Sequence, residues 1–304
     1  MRLPNLDTIV LKSLDFFIKN PLPQLDLSTF EIPFVVGSGN AANTGRIIFS
    51  DQAAIFADES NFKQVLESFQ PMIKTGLIKQ ALVISSSGEK DSIWEVKFAK
   101  KNGLKTTLLT CSRNCTAGKF ADKMLVYPKI AEPYTYNTST YLGMILSTTG
   151  EKPEQIKDFL LKLKLFPKFN SYRAFAFILP DLFLNICPML DIKKSELFGA
   201  RLAIRAFSQG HARHAKFLVR WEKELVISFG LENLYFGYPQ HRWEIKMPEK
   251  SDFGLVLALA YYLVGKIQDA KPAYFKKHLK SFCNDYGPVA YGKKERFDLI
   301  VPGS

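Results

Sequence analysis

The chain has 304 residues and a net charge of +12, and its composition is that of a globular protein. An apolar fraction of 47%, with 25 Phe residues, is ample for one large core or two smaller ones, and no low-complexity tract indicates disorder. No apolar run reaches the roughly 18 to 20 residues of a membrane span, and charges interrupt the longest candidate, Phe253 to Val264. We therefore expect no membrane segment.

The N-terminal residues and the cysteines indicate the compartment. The first 20 residues are amphipathic, contain acids and lack a signal-peptide core, so we expect a cytoplasmic protein. The four cysteines, Cys111, Cys115, Cys187 and Cys283, are too irregular for a disulfide framework and suit buried thiols. Cys111 and Cys115 form a C-x3-C pair, but neither a second pair nor a nearby His completes a zinc site. We therefore expect no metal site.

The positive charge concentrates anions near the surface. Nucleic acid is one such anion, but the lysines are spread along the chain, and no basic helix, aromatic RNP strand or zinc-finger spacing is present. A small phosphorylated substrate would benefit from the same field. Charge alone does not decide between these partners.

The hydrophobic pattern of the first half predicts alternating strands and helices. An opening helix, Leu6–Ile18, has apolar residues at helical spacing and ends before Pro21. The strands predicted after it are Phe34–Val36, Ala81–Ile84, Thr106–Leu109 and Met124–Tyr127, and the helices are Asn43–Ala54, Asn61–Lys74, Ser92–Asn102 and a short one before Asp122. This alternation is typical of βαβ crossovers and of a parallel sheet with helices on both faces.

The segment TTGEKP, Thr148–Pro153, indicates a helix stop and restart, so we predict two domains, 1–150 and 151–304. The second half repeats the alternation. Its predicted helices are Glu154–Leu165, Ser195–Phe207, Phe253–Ile267 and Tyr274–Cys283, and its predicted strands are Ala174–Leu179, Leu225–Phe229 and Trp243–Met247. We expect two α/β domains in tandem.

The stretch ALVISSSGEKDSIWEV predicts an anion-binding turn. A buried strand ends in three serines, Ser85 to Ser87, the chain turns at Gly88, and Asp91 or Ser92 caps the next helix. Hydroxyls and free amides then stand at a helix N-terminus on the carboxyl edge of a parallel sheet, where the helix dipole favours negative charge. An ordinary strand–turn–helix with serines as caps is the alternative.

A second turn from strand to helix, GSGNAANTG, lies upstream at Gly37 to Gly45. Its small residues permit close approach of the backbone to a ligand. It is not the dinucleotide fingerprint, because position 42 is Ala where that motif needs its third Gly. The chain also contains no P-loop motif.

The order and spacing of four segments resemble the sugar isomerase (SIS) domain: VVGSGNAANTG, ISSSGEKDSIWEVKFAKKNGLKTTLLT, ADKMLV and EPYTYNTSTYLGMIL. The match covers about Glu31 to Leu146. The SIS domain is the fold of the isomerase half of glucosamine-6-phosphate synthase, of phosphoglucose/phosphomannose isomerases and of several sugar-phosphate-sensing regulators. The resemblance implies tandem SIS-like three-layer αβα domains with parallel sheets and a sugar-phosphate ligand.

The resemblance also implies which residues hold the phosphate. The family's S-x-S-G-x-T turn corresponds to Ser85, Ser86, Ser87 and Gly88, with Lys90 where the family usually has Thr. An ammonium there can contact phosphate as a point charge, and a lysine pointing into solvent is the alternative.

The first Gly-rich turn contributes Gly39 and Asn40, but Ala41 stands where the family often has a phosphate-contacting Ser. Thr44 and Ser38 are the two candidate substitutes.

Further along the chain, Glu132 followed by Ser139 and Thr140 resembles the family's Glu and Ser-Thr pair, with a spacing about two residues longer. The resemblance adds Ser139 and Thr140 to the phosphate site, and a simple N-cap is the alternative for them.

Chemistry in this family needs a base that moves a proton between C1 and C2 and a group that opens the sugar ring, roles suited to Glu and His. Gly210–His214 resembles the family's Gly-x-x-Lys-His turn, which makes His214 the ring-opening residue and His211 the alternative. The family's base is a Glu about four turns earlier on a helix. Phe198 occupies that position here, and the closest acid is Glu196. The alternative interpretation of Glu196 is an acid in the first turn of a helix, where it interacts favourably with the helix dipole.

The tail YGKKERFDLIVPGS resembles a family tail that closes over the sugar with a lysine, here Lys293 or Lys294. We therefore predict an aldose–ketose isomerase for a hexose phosphate, without a metal or organic cofactor. A homodimer is expected, since the family often completes its site across a two-fold interface. A non-catalytic sugar-phosphate sensor is the alternative, and nucleic-acid binding is the least favoured.

Overall fold

A computed structural model describes residues 3–304. The α-helices of this part of the chain are α1 (Leu6–Lys19), α2 (Asn40–Ile48), α3 (Phe62–Ser68), α4 (Gln70–Lys74), α5 (Asp91–Lys101), α6 (Thr138–Thr149), α7 (Pro153–Lys162), α8 (Cys187–Phe198), α9 (Gln209–Ala212), α10 (Phe253–Ala270), α11 (Tyr274–Ser281) and α12 (Gly287–Ala290). The strands are β1 (Phe34–Gly37), β2 (Ile55–Ala57), β3 (Gln80–Ile84), β4 (Lys105–Thr110), β5 (Lys123–Val126), β6 (Glu132–Pro133), β7 (Ala174–Leu179), β8 (Ala203–Ser208), β9 (Glu224–Phe229), β10 (Arg242–Ile245) and β11 (Ile300–Val301).

Two parallel sheets form the centre of the fold. The first has five strands in the order β2-β1-β3-β4-β5, and the second has four in the order β10-β9-β7-β8. The central strands β3 and β7 are continuous apolar runs buried along almost their whole length, as expected of parallel strands covered by helices on both faces. The predicted α/β class with parallel sheets is confirmed.

The strand order of the first sheet reverses direction between β1 and β3. The chain passes from β1 to β2 on one side and then returns to place β3 on the other side of β1. Connections that leave in opposite directions open a crevice at the carboxyl ends of the two strands, which is where open α/β sheets bind ligands. The two turns singled out in the sequence, Gly37–Gly45 after β1 and Ser85–Lys90 after β3, both leave the sheet at this point.

The described residues form two compact units. One comprises Phe16–Ile130, Ser139–Gly150 and the last two residues, and it contains the five-stranded sheet. The other comprises the residues up to Asp15, Ala131–Thr138 and Glu151–Pro302, and it contains the four-stranded sheet. The division into domains 1–150 and 151–304 stays a prediction.

The predicted helix Ser195–Phe207 is wrong. Helix α8 ends at Phe198, Gly199 follows with a φ of 56° and begins a 3-10 turn to Arg201, and strand β8 begins at Ala203. All six residues of β8 pair with β7, so the sheet overrides the helical pattern. The predicted helix Asn61–Lys74 is likewise split into α3 and α4, with Pro71 in the first turn of α4.

Helix α10 is the one helix of residues 3–304 that has the length and composition of a membrane span. Most of it is buried inside the protein, as in the core helix of a globular domain. Its N-terminus is closed by the Glu151 carboxylate, which accepts hydrogen bonds from the amides of Asp252 at 2.9 Å, Gly254 at 2.7 Å and Leu255 at 3.1 Å. A carboxylate there satisfies amides that the helix leaves unpaired.

Candidate functional site

The serine turn, Ser85–Lys90, connects β3 to α5. Ser85 Oγ accepts a hydrogen bond from the Gly88 amide at 3.1 Å, and Ser87 Oγ accepts one from the Glu89 amide at 3.3 Å. A hydroxyl carries one proton and two acceptor lone pairs, so both serines still have a proton to donate. The turn thus presents two oriented hydroxyl donors beside the N-terminus of α5.

The far side of the serine turn is packed against the segment that follows β4. The Gly88 carbonyl accepts from the Ala117 amide at 2.9 Å, and the Glu89 carboxylate accepts from the Thr116 amide at 2.8 Å. Gly88 has a φ of 64°, and a Cβ at this position would lie 2.3 Å from Cys115 Sγ. Only glycine fits, and the turn is therefore fixed in place before any ligand arrives.

Lys90 caps α5 in a backbone conformation that disfavours a side chain. Its φ is 57° and its ψ is −125°, close to the first central position of a type II′ turn, which glycine normally occupies. Gly39, the cap of α2, has nearly the same conformation, with φ 56° and ψ −119°. The two turns are thus built alike, but one carries glycine and the other an exposed lysine. Strain of this kind persists mainly where function requires it.

The first turn lies beside the serine turn, because β1 and β3 are neighbours and Gly37 pairs with Ile84. A Cβ on Gly39 would meet no atom within 4 Å, so the space in front of this turn is open. Asn40 is buried, and its Oδ1 makes no hydrogen bond within the described protein. This leaves a buried acceptor without a partner next to Gly39, the residue with open space in front of it.

Helix α6 reaches the serine turn through one of the two predicted residues. Thr140 Oγ1 lies 3.2 Å from Ser86 Oγ, which makes a hydrogen bond between the two hydroxyls. Ser139 is fully buried, and its Oγ accepts from the Ile130 amide at 3.3 Å.

The hydroxyl of Thr44, one candidate substitute for a Ser at Ala41, donates to the Asn40 carbonyl at 2.8 Å. Ser38, the other candidate, is half-buried, and its carbonyl accepts from the Ala41 amide at 3.0 Å. Glu132 is buried and accepts from the Thr138 amide at 2.8 Å, which caps α6.

Glu196 lies in the last turn of α8, so its interpretation as a first-turn acid is wrong. Its Oε2 is 2.6 Å from Lys193 Nζ, and Lys193 is fully buried. The same ammonium donates to the Thr135 carbonyl at 2.7 Å, and Thr135 has a φ of 75°, unusual for a β-branched residue. Burial raises the pKa of Glu196, while the positive charge of Lys193 opposes that rise.

Lys193 is the residue of this site that the sequence analysis missed. The signal available in the sequence was its i,i+3 spacing to Glu196 on a helix. A carboxyl group whose pKa burial raises, beside a lysine that opposes that rise, has the properties of a general base.

His214 follows helix α9 and is exposed, as is its neighbour His211. Two hydrogen bonds hold the turn that contains them: Ser208 Oγ accepts from the His211 amide at 3.3 Å, and the Asp181 carboxylate accepts from the Gly210 amide at 2.7 Å. Glu196 and His214 belong to the unit with the four-stranded sheet, whereas the serine turn belongs to the other unit.

The C-terminal tail carries Lys293 and Lys294, both exposed, and then pairs through β11 with β6. Within residues 3–304, no group of three or more His, Cys, Asp or Glu side chains is arranged to hold a metal ion.

Neither a protein-family model nor a curated protein sequence matches this chain. Solved structures do. The C-terminal domain of glucosamine-fructose-6-phosphate aminotransferase from Francisella tularensis superposes with a TM-score of 0.62 at 11% identity, covering 88% of this chain and 95% of that one. The chain has the fold of the sugar isomerase family.

Two further structures of this fold match over a similar length. Glucosamine-6-phosphate deaminase from Thermotoga maritima gives a TM-score of 0.60 at 15% identity, covering 89% of this chain and 95% of that one. Tagatose-6-phosphate ketose/aldose isomerase from Escherichia coli gives 0.56 at 12% identity, covering 87% and 90%. The SIS fold therefore extends well beyond Glu31–Leu146, the segment on which the sequence resemblance is based. The predicted SIS fold is confirmed.

Proposed function

We propose that the chain binds a phosphorylated sugar at the serine turn and interconverts its aldose and ketose forms. The main support for the proposal is a pair of turns with nearly the same backbone conformation at Gly39 and Lys90. They lie at the carboxyl ends of β1 and β3, where the strand order reverses. The similar structures include proteins named for acting on glucosamine 6-phosphate and tagatose 6-phosphate, which supports a sugar phosphate as the ligand.

In this proposal the phosphate is held by hydrogen-bond donors of the serine turn. Ser85 and Ser87 donate hydrogen bonds from their hydroxyls, the first amides of α5 face the anion, and the Lys90 ammonium adds a positive charge. Gly39 leaves room for the ligand, and Asn40 Oδ1 is available to accept a hydrogen bond from a sugar hydroxyl. Ser86 and Thr140 form the wall between the turn and α6.

Glu196 is the proposed base that transfers a proton between C2 and C1 of the open-chain sugar. The positive charge of Lys193 opposes the rise of the Glu196 pKa that burial causes, and so favours the ionised form that accepts the proton. His214 is proposed to donate and accept the protons that open and close the ring.

We further propose a cytoplasmic homodimer in which the Gly210–His214 turn lies near the two-fold axis. Leu218 and Val219, which follow this turn, are 83% and 82% exposed, and Trp221 is 49% exposed. Apolar side chains clustered this way on a surface favour a partner that covers them. A second copy of the chain would bring two composite sites to each dimer.

The test uses calorimetry and proton exchange. Ser87→Ala combined with Lys90→Ala should weaken hexose-phosphate binding by more than about 1.5 kcal/mol, on the scale of charged hydrogen bonds. Lys101→Ala, which removes one positive charge from the other end of α5, is the matched control and should bind as the wild type does. Unchanged binding in the double variant would place the phosphate elsewhere.

Catalysis is tested by deuterium incorporation at C2 in D2O, followed by NMR. Glu196→Gln should abolish incorporation and retain phosphate binding, and His214→Ala should slow turnover of the cyclic sugar more than that of the open-chain form. If the wild type binds saturably but incorporates no deuterium between about pH 6 and 9, the isomerase proposal fails and the sensor alternative takes its place.

A further inference from the structure

Glu95 is a buried carboxyl group, and one of its two oxygens makes no hydrogen bond within residues 3–304. It lies on α5, four residues after Asp91, and only 1% of it is exposed. Its Oε1 has no hydrogen-bond partner within the described protein. A buried carboxylate without a partner is costly, and such a group takes up a proton instead.

The charged groups around Glu95 also favour its protonated form. Asp91 comes from the same helix, and Asp58 and Glu59 come from the loop between β2 and α3. The cation that α3 contributes, Lys63, has its Nζ 5.3 Å from the centre of the Trp94 ring. Burial first, and then Asp91, Glu59 and Asp58, raise the pKa of Glu95 to about 8.

The same turn of helix connects Glu95 to the serine turn. Asp91, which repels a charge on Glu95, directly follows the strained cap Lys90 and accepts from Trp94 Nε1 at 3.3 Å. Ser92 Oγ donates to the Glu89 carbonyl at 2.8 Å. A charge on Glu95 therefore lowers the positive potential at the α5 N-terminus.

We propose that Glu95 is a proton-binding site that couples pH to the serine turn. Neutral Glu95 leaves the N-terminus of α5 attractive to an anion, and ionised Glu95 weakens anion binding there. The coupling step depends on the proposed phosphate site, whereas the proton site itself does not.

The proton site is tested by NMR of protein labelled with ¹³C at the glutamate carboxyl carbons. One resonance of the wild type should titrate with a midpoint near pH 8, the pKa of Glu95, and should be missing in Glu95→Gln. Asp91→Asn should lower that midpoint, since it removes a like charge, which provides a second readout if Glu95→Gln does not fold. The proposal is overturned if no glutamate resonance titrates near pH 8, or if the one that does persists in Glu95→Gln.

The coupling is tested with sulfate, a dianion that does not titrate between pH 6.5 and 9. Its affinity for the wild type should fall about two- to fivefold over this range, the effect of one charge near a helix terminus at low salt. The affinity of Glu95→Gln should stay constant, and that of Glu67→Gln, an exposed control on α3, should follow the wild type.

The two experiments separate the two proposals. An equal decline in Glu95→Gln would refute the coupling. Absence of sulfate binding at every pH would contradict the phosphate site and the coupling with it, while the NMR titration would still decide the proton site.

Discussion

Lys90 is the residue at which stability and binding are expected to conflict. With φ 57° and ψ −125°, it holds a conformation that costs a side chain about 1 to 3 kcal/mol. Lys90→Gly should therefore raise the free energy of unfolding by about 1 kcal/mol while weakening sugar-phosphate binding. Urea unfolding and calorimetry on the same variant measure the two effects.

Lys101→Gly serves as the control for this substitution, because Lys101 ends the same helix. It should lower stability by up to about 1 kcal/mol, as glycine does in a helix, and leave binding unchanged. A Lys90→Gly variant that is less stable than the wild type would show that interactions of the lysine outweigh its backbone strain.

The Lys193–Glu196 pair allows a second prediction at the residue scale. Removing the buried ammonium by Lys193→Met should raise the pKa of Glu196 further, because Lys193 is what opposes the effect of burial. Deuterium exchange should then need a higher pH, and the pH profile of exchange should move upward. The profile is measured on the substrate that the wild type exchanges.

Lys194→Met is the matched control. Lys194 pairs with Asp191 at 2.6 Å with the same spacing of three residues, but Asp191 is exposed. Exposed pairs of this kind contribute little. If both variants leave the pH profile unchanged, Glu196 is not the group that titrates.

At the scale of elements, helix α10 depends on the Glu151 carboxylate at its N-terminus. Three amides donate to it, so Glu151→Gln, which removes the charge, should lower the free energy of unfolding by about 2 kcal/mol. Thermal and urea unfolding measure the loss. Glu249→Gln, an exposed acid shortly before the helix, should unfold as the wild type does.

Strand β11 is the element that secures the segment containing Thr135. It pairs with β6, and the Tyr134 amide donates to the Leu299 carbonyl at 3.0 Å. Deleting residues 299–304 should therefore increase amide exchange in 132–136, measured by mass spectrometry. Because Lys193 bonds to the Thr135 carbonyl, the deletion should also disturb Glu196. Deleting only 303–304, which leaves β11 intact, is the control and should preserve protection.

At the scale of the whole molecule, Glu95 gives stability a definite dependence on pH. Its pKa is about 8 in the folded protein against an ordinary value of 4.5, so between these values the folded state holds one proton that the unfolded state has released. Stability therefore falls as pH rises through this window and is level above it. The expected loss is of the order of 3 kcal/mol between pH 5 and 7.5, and Glu95→Gln should abolish this part of the slope. Urea unfolding across the window measures it, and an unchanged slope would contradict a neutral Glu95.

Assembly is the second prediction for the whole molecule. If the exposed side chains after His214 lie in a dimer interface, Leu218→Asp combined with Val219→Asp should give a monomer in sedimentation velocity. Leu161→Asp, at a site 56% exposed on α7, should leave the dimer intact. A wild type that is monomeric at every concentration would refute the proposed dimer.

The α/β class and most of the strands could be predicted from the sequence, because buried parallel strands are short apolar runs between amphipathic helices. It also located the serine turn, since three serines and a glycine after such a run combine donors with the freedom to turn. These features are local, and each can be read within about ten residues of the chain.

The tertiary structure alone decided which groups meet. Ser86 and Thr140 are 54 residues apart, and Lys193 bonds to a carbonyl 58 residues away. The strain at Lys90 and the unpartnered Glu95 likewise depend on where the sheet directs the chain. The segment Ala203–Ser208 shows why the pattern fails in places: pairing with β7 outweighs a local helical tendency, and the periodicity of one segment carries no information about its partner.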